Sequence, residues 1–230
     1  MQTQIETPQF GSRKRLRVEL FSDAVFAIAI TILVLQPLEA LHLAGKGGVL
    51  QFCLHHWESF LSYFVGFCTV LICWINHHHI FSYINKVDVK LMWLNGLMLL
   101  VLAFTPVPTA VLSMHLENEG SLVVAIFGFN YVVMAIATYG MSAYAYNHYF
   151  VEHKSRELFH GIKLTYGYAV LYIIAVSFVC FISAPAAVVL YALLFGIFAF
   201  PKEAALKVLK MKKSRQRKLM SRELNAKPAV

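Results

Sequence analysis

Long apolar segments that are almost free of charge dominate this sequence. A helix needs about 20 apolar residues to cross the hydrocarbon core of a membrane. Only 14% of the residues are charged, whereas soluble domains carry about 25%. The sequence therefore predicts an all-α integral membrane protein with six transmembrane helices. The predicted spans are 18–38, 57–77, 89–112, 121–147, 163–183 and 186–201.

The positive charges predict the orientation of these spans. All but one of the 20 Lys and Arg side chains lie in, or within two residues of, the amino-terminal segment, the second and fourth connections or the carboxyl tail, and Lys46 is the exception. Because basic residues are retained on the cytoplasmic side, both termini are predicted to be cytoplasmic. This divides the chain into a cytoplasmic amino terminus (1–17), a six-span domain (18–201) and a cytoplasmic basic tail (202–230).

The net charge of +8 is concentrated next to the membrane, so it does not indicate nucleic-acid binding. The basic run at 207–222 is typical of juxtamembrane segments that attract anionic lipid headgroups. Leucines at 206, 209 and 219 interrupt this run. A short surface helix and a solvated tail are both compatible with the pattern.

Metal binding and catalysis find little support in the sequence. His77, His78 and His79 are consecutive, and consecutive helical residues point about 100° apart, so they cannot converge on one ion. No nucleophile–base pair is evident either. We therefore expect no metal, no cofactor other than a permeant ion, and no enzyme activity.

One face of the first span defines a candidate functional surface. Helical spacing of 100° per residue collects Arg17, Phe21, Ala24, Ile28, then Thr31 or Ile32, then Leu35. Above Ala24 this stripe is aliphatic apart from the threonine. The spacing leaves open whether Thr31 or Ile32 projects further.

Ionisable groups at membrane depth need partners, and Asp23 points sideways from the stripe, about 140° from Ile28 by helical spacing. Antiparallel topology brings Asn76, His77 and His78 of the second span, and Asn95 of the third, to about the same depth. We predict a polar cluster that ties spans 1 to 3 together. Its role is either to fix helix packing or to serve as a proton relay or ion site.

Three motifs carry a resemblance to a known family. An Arg-x-x-x-Phe-Ser-Asp motif at 17–23 is followed by an apolar run to Leu35, and Trp-x-x-His-His stands at 74–78. A third stretch, 93–106, begins Trp-Leu-Asn and ends Phe-x-Pro. Together they resemble the prokaryotic branch of the lysosomal potassium channel (transmembrane protein 175) family over spans 1 to 3. Spans 4 to 6 are similar only in length and hydrophobicity.

The resemblance implies a homotetramer of six-span subunits in a prokaryotic plasma membrane, with the first helix lining a central pore that lacks a carbonyl filter. It places the pore constriction at Ile28, Thr31 or Ile32, and Leu35, which is the stripe found from helical spacing. It also implies an interhelical polar network. The network residues carried over are Arg17, Ser22, Asp23 and His77, to which the depth argument adds His78 and Asn95.

A potassium channel with modest preference for potassium over sodium is the function that this resemblance predicts. Hydrophobic rings gate such a pore by excluding water. The alternative is a secondary transporter coupled to protons or cations. Transporters of that kind show internal repeats and charged residues near the membrane midplane, and neither is evident in this sequence.

Overall fold

The computed structural model confirms the all-helical class over the residues that it describes. These residues are 10–43, 49–84, 86–149, 153–183, 186–191, 193, 206–211 and 214. The helices are α1 (Phe10–Ile32), α2 (Leu35–Leu43), α3 (Val49–His55), α4 (Trp57–Ser82), α5 (Val89–Phe104), α6 (Pro106–His148) and α7 (His153–Val179). Residues 186–191 and 206–211 are also helical.

Five described segments are long and apolar enough to cross a membrane. They are Arg13–His42, Trp57–Ser82, Val89–His115, Gly120–His148 and Phe159–Val179, and they overlap the first five predicted spans. The predicted sixth span, 186–201, lies largely outside the described residues, as does most of the basic tail. Within that tail, residues 206–211 form a helix, which agrees with the surface-helix alternative.

The first span bends between α1 and α2. Pro37 has no amide hydrogen to donate to the Leu33 carbonyl, which instead accepts from the Gln36 amide at 3.3 Å. A proline that removes an i to i−4 hydrogen bond commonly kinks a helix. The bend separates Ile32 from Leu35, so the predicted constriction residues straddle it.

The third span bends at the boundary of α5 and α6, where two prolines interrupt the helix. Pro106 and Pro108 follow Thr105, whose amide bonds to the Leu102 carbonyl at 3.0 Å. Two neighbouring spans reach this bend: Gln36 Nε2 donates to the Pro106 carbonyl at 3.2 Å, and Asn130 Nδ2 donates to Thr105 Oγ1 at 3.2 Å. The bend therefore provides the polar contacts that join spans 1, 3 and 4.

α6 reverses direction along its length. Thr105 and Asn130 are hydrogen-bonded, although a straight helix would separate residues 25 apart by about 37 Å. The chain therefore turns back between Thr105 and Asn130. The connection between the predicted third and fourth spans, residues 113–120, lies within this interval.

A second antiparallel hairpin ends the described part of the membrane domain. The Tyr172 hydroxyl donates to the Leu190 carbonyl at 3.1 Å, and Ser177 Oγ lies 2.8 Å from the Tyr191 hydroxyl. Tyr191 also lies against Gly128 so closely that a Cβ there would collide with its hydroxyl. The chain therefore turns back between α7 and residues 186–191.

One end of the subunit collects the basic residues of α1, α5 and α7, and we call it the basic end. There Arg15 pairs with Glu19 at 3.3 Å and donates to the Ile84 carbonyl at 2.9 Å. Tyr83 packs against Phe159, with ring centroids 5.4 Å apart. These contacts bring the start of α1, the end of α4 and the start of α7 together, as expected for antiparallel spans.

Asp88 caps α5 at the same end. Its Oδ1 accepts from the Leu91 amide at 2.8 Å, and its Oδ2 accepts from the Tyr144 hydroxyl. Burial acts to raise the pKa of Asp88, but hydrogen bonds from Tyr144, Leu91 and Tyr149 outweigh it and hold the pKa below its usual value of 3.8. Burial, followed by the contact with Asp88, raises the pKa of Tyr149 to about 12.

Candidate pore and its supporting polar network

The predicted pore stripe lies on the exposed face of the first span. Ile28, Ile32 and Leu35 are 58%, 42% and 54% exposed in the subunit, and Thr31 is also exposed. Both Thr31 and Ile32 are therefore accessible, so the structure leaves their alternative open. The Thr31 hydroxyl donates to the Ile28 carbonyl at 2.9 Å, which leaves the oxygen lone pairs directed away from the helix backbone.

The opposite face of the first span is buried in the subunit. Its side chains recur at spacings of three and four residues, as expected for one face of a helix, and they are Ser22, Phe26, Ala29, Leu33, Gln36 and Ala40. The side chains of α1 pack against α4 and α5, and those of α2 pack against α4. Burial thus fixes which face of the span turns away from its own subunit.

Three of the predicted network residues meet in a buried chain of hydrogen bonds. Ser22 donates to the Val18 carbonyl at 2.8 Å and accepts from Asn95 Nδ2 at 3.0 Å. Asn95 Oδ1 lies 2.9 Å from His77 Nε2, and because an amide oxygen only accepts, His77 donates from Nε2. The chain of hydrogen bonds joins spans 1, 2 and 3.

Asp23 bonds to a residue that the sequence analysis did not assign to the network. Its Oδ1 accepts from the indole Nε1 of Trp74 at 2.8 Å, and His78 stacks on the same indole with ring centroids 6.0 Å apart. His77 stacks instead on Phe81, at 4.4 Å. Neighbouring histidines thus serve different contacts: His77 belongs to the buried chain, whereas His78 lies on the exposed side with Trp74.

Arg17 is exposed and has no hydrogen bond or ion pair with another residue of the described ranges. Its place in the network therefore stays a prediction, which concerns the assembled protein rather than the single subunit. Arg15, two positions earlier, makes the ion pair and the backbone contact at the basic end. Charge type alone did not distinguish these two arginines in the sequence.

Two buried polar contacts escaped the sequence analysis. Asn76 was placed near Asp23 by depth, but its Oδ1 accepts from the Tyr166 hydroxyl of α7 at 2.9 Å. Gln36 was not singled out, although it anchors the bend of the first span to Pro106 next to the predicted constriction. The sequence did contain a signal for both contacts: each residue is an amide side chain inside an apolar span, and such a group needs a hydrogen-bond partner in lipid.

Comparisons with known proteins find sequence and structural similarity to channels. Residues 17–106 match the sequence model of a family described as endosomal/lysosomal potassium channel TMEM175. A potassium channel of Streptomyces collinus is 43% identical over 121 residues, which cover 53% of this chain and 58% of that protein. A potassium channel of Chamaesiphon minutus is 40% identical over 110 residues, covering 47% and 54%.

The chain thus spans just over half of the length of these bacterial relatives. A vertebrate relative, the endosomal/lysosomal proton channel TMEM175 of Gallus gallus, is 31% identical over 117 residues, covering 48% of this chain and 23% of that protein. The crystal structure of a lysosomal potassium-selective channel TMEM175 homolog from Chamaesiphon minutus superposes with a TM-score of 0.72 at 28% identity. It covers 83% of this chain and 98% of that chain.

Proposed function

We propose that this protein is a potassium-permeable cation channel of the endosomal/lysosomal potassium channel (TMEM175) family, because residues 17–106 match the sequence model of that family. Four copies assemble with the first span of each around a central pore. The relatives named as potassium channels support potassium as the permeant ion. The exposed face of the first span supports its place at the pore.

The observation that carries this proposal is the exposure of Asp23 on a span that also exposes an apolar stripe. An apolar face alone suits lipid equally well. Asp23, however, lies ten residues inside the candidate span Arg13–His42 and is exposed, and charged groups at membrane depth face protein or water rather than lipid. Asp23 points sideways from the stripe on the basic-end side of Ile28, so it needs water or a second subunit beside it, and an assembly around a pore provides both.

The constriction follows from the geometry of the stripe. Ile28 and Leu35 are seven residues apart, which corresponds to about 10 Å along a helix. A ring of four such side chains at each level forms an apolar constriction that excludes water and so gates the pore. A Thr31 ring between them offers hydroxyl oxygens that replace part of an ion's hydration shell.

Selectivity in this pore is modest because it lacks a carbonyl filter. Potassium is larger than sodium and gives up its water more easily, so partial dehydration at the constriction favours potassium. The chain of Ser22, Asn95 and His77 has a positioning role in this proposal: it fixes the lower half of α1 against α4 and α5. Rigid packing there keeps the four Ile28 side chains at a common level.

Assembly and location complete the proposal. The protein is a homotetramer in a plasma membrane with both termini in the cytoplasm, and the net charge of the basic tail is drawn to anionic lipids. Light scattering of the purified protein in detergent, corrected for bound detergent, should give four times the 26.0 kDa chain mass. A monomer or dimer contradicts the ring of four.

Reversal potentials test the proposed activity. The purified protein is placed in planar bilayers under opposed potassium and sodium gradients. The reversal potential of its current should be shifted from zero toward the equilibrium potential of potassium. Because vertebrate relatives are named proton channels, a pH gradient is imposed in a second series, and potassium should still dominate the reversal potential. A saturable flux that needs a proton gradient would instead support the transporter alternative.

A further inference from the structure

A groove runs between the second half of α6 and α7 on the outside of the subunit. It encloses about 400 Å³ and is lined by Ile136 and Tyr139 from α6, and by Leu164, Gly167 and Leu171 from α7. The lining is mostly apolar, and Leu171 is 65% exposed. Gly167 forms the floor, since a Cβ there would lie 3.4 Å from the Tyr139 ring.

One end of the groove is cationic. Lys163 lines it, and its ammonium lies 4.8 Å from the centroid of the Tyr146 ring. The guanidinium of Arg156 lies 5.7 Å from the same centroid. Within the described ranges Lys163 has no carboxylate within ion-pair distance, so an aromatic face alone offsets its charge.

The position of the groove matches one leaflet of a bilayer. Lys163 lies four residues, or about 6 Å, inside the candidate span that begins at Phe159. From Lys163 to Leu171 the groove extends about 12 Å along the helix, which fits within half of a hydrocarbon core of about 30 Å. The lysine thus lies near the headgroup boundary, and the apolar part lies at acyl-chain depth.

The groove also lies away from the proposed pore. α1 packs on α4 and α5, whereas α7 packs mainly on α6. A ring of subunits that turns α1 inward therefore turns the groove toward the surrounding lipid. Its occupant must be apolar along most of its length and negatively charged at the basic end.

We propose that the α6–α7 groove binds an anionic phospholipid, with the phosphate against Lys163 and Arg156 and one acyl chain alongside Gly167. The site is separate from the basic tail, which attracts lipid headgroups without holding an acyl chain. It is also separate from conduction, because none of its residues belongs to the pore stripe or the polar network. Its occupancy can therefore be measured whether or not the protein carries current.

Lipid binding to the full-length protein in detergent tests the proposal. Native mass spectrometry after titration with phosphatidylglycerol or phosphatidylcholine of identical acyl chains should show a preference for phosphatidylglycerol. A single interfacial lysine contributes about fivefold to the affinity for anionic lipid. Lys163→Gln should therefore lower this preference by about fivefold, and Lys163→Arg should retain it.

A second pair of variants separates the groove from general charge. Gly167→Leu fills the floor and should reduce binding of both lipids. The matched controls are Gly96→Leu, where a Cβ meets no atom within 4 Å, and Lys90→Gln, an exposed lysine at the same basic end. Both controls should bind the two lipids as the unaltered protein does, and circular dichroism verifies that each variant stays helical.

Three results would overturn the proposal. The first is equal binding of the two lipids by the unaltered protein. The second is unchanged binding in folded Lys163→Gln and Gly167→Leu. The third is displacement of phosphatidylglycerol by inorganic phosphate at the same concentration, because an acyl chain held in the groove should make the lipid bind far more tightly than its phosphate alone.

Discussion

Asn95 joins three spans through one amide group. Its Nδ2 donates to Ser22 and its Oδ1 accepts from His77, and all three side chains are buried. Water is excluded from this point, so loss of the amide leaves a hydroxyl and an imidazole without these partners. The residue therefore determines how the lower half of α1 sits against α4 and α5.

Replacing Asn95 by Ala should lower the free energy of unfolding by about 1–3 kcal/mol, because two interhelical hydrogen bonds are lost in lipid and two buried groups are orphaned. Asn147→Ala is the matched control, since Asn147 is exposed at the end of α6, and it should change stability by less than about 0.5 kcal/mol. A denaturant titration in detergent micelles measures both. Equal effects would show that the buried chain does not hold α1.

The carboxyl group of Asp88 makes the stability of the fold depend on pH in the acid range. Its native pKa lies below the usual 3.8, so the ionised carboxylate stabilises the fold above that value, and this contribution is lost as the pH falls through the native pKa. The difference in thermal unfolding midpoint between the unaltered protein and Asp88→Asn should be present at pH 7 and shrink below pH 3.8. A difference that stays constant across this range would rule out the titration of Asp88 as its source.

Residue pairing was predictable from the sequence only in part. Ser22 entered the predicted network through the family resemblance, whereas His77 and Asn95 entered it through their depth. The three side chains meet because polar groups on neighbouring spans need each other in lipid. Depth did not identify Trp74 as the partner of Asp23, because an indole side chain is also stable when it faces lipid. Nor could it pair Asn76 with Tyr166, which requires knowing that α7 packs beside α4.

At the scale of helices, one small residue allows the bends of two spans to approach. Gly66 of α4 lies where a Cβ would come within 3.0 Å of Thr109 Cγ2 and 3.1 Å of Leu33 Cδ2. Leu33 precedes the bend of the first span, and Thr109 follows the bend of the third. α4 therefore packs against both bends without a side chain in between.

Gly66→Leu should destabilise the protein by about 1–3 kcal/mol, because the added carbons have no room between rigid neighbours. Gly96→Leu adds the same atoms at an open position of α5 and should be close to neutral. The comparison uses the same denaturant titration. If both variants unfold alike, close packing at Gly66 is not what holds the bends together.

Hydropathy predicted the positions of the helices, but the sequence predicted their bends and exact starts only in part. The first five spans agree with the described helices, and two prolines mark the bend at Pro106. The bend at the first span was not expected, because Pro37 stands at the predicted end of that span rather than inside it. α7 begins at His153, ten residues before the predicted start, because its polar first turns carry no apolar signal.

At the scale of the whole molecule, a single subunit cannot form a pore. Its first span exposes Ile28, Thr31 and Leu35 on a face that no element of the described subunit covers, and it exposes Asp23 below them. In the proposed channel, an assembly turns these faces toward one axis and surrounds them with water and other copies. Oligomer number followed from the family resemblance rather than from composition or periodicity, since neither describes contacts between chains.

Single-channel conductance of Ile28→Asn tests the central claim most directly. If the exposed face of the first span is the constriction, a polar ring at this level should be wetted more easily and should raise the potassium conductance. Leu100→Asn is the control, since Leu100 is 68% exposed on α5 and lies outside the pore stripe, so its conductance should equal that of the unaltered protein. Unchanged currents from folded Ile28→Asn would place this face of the first span outside the pore.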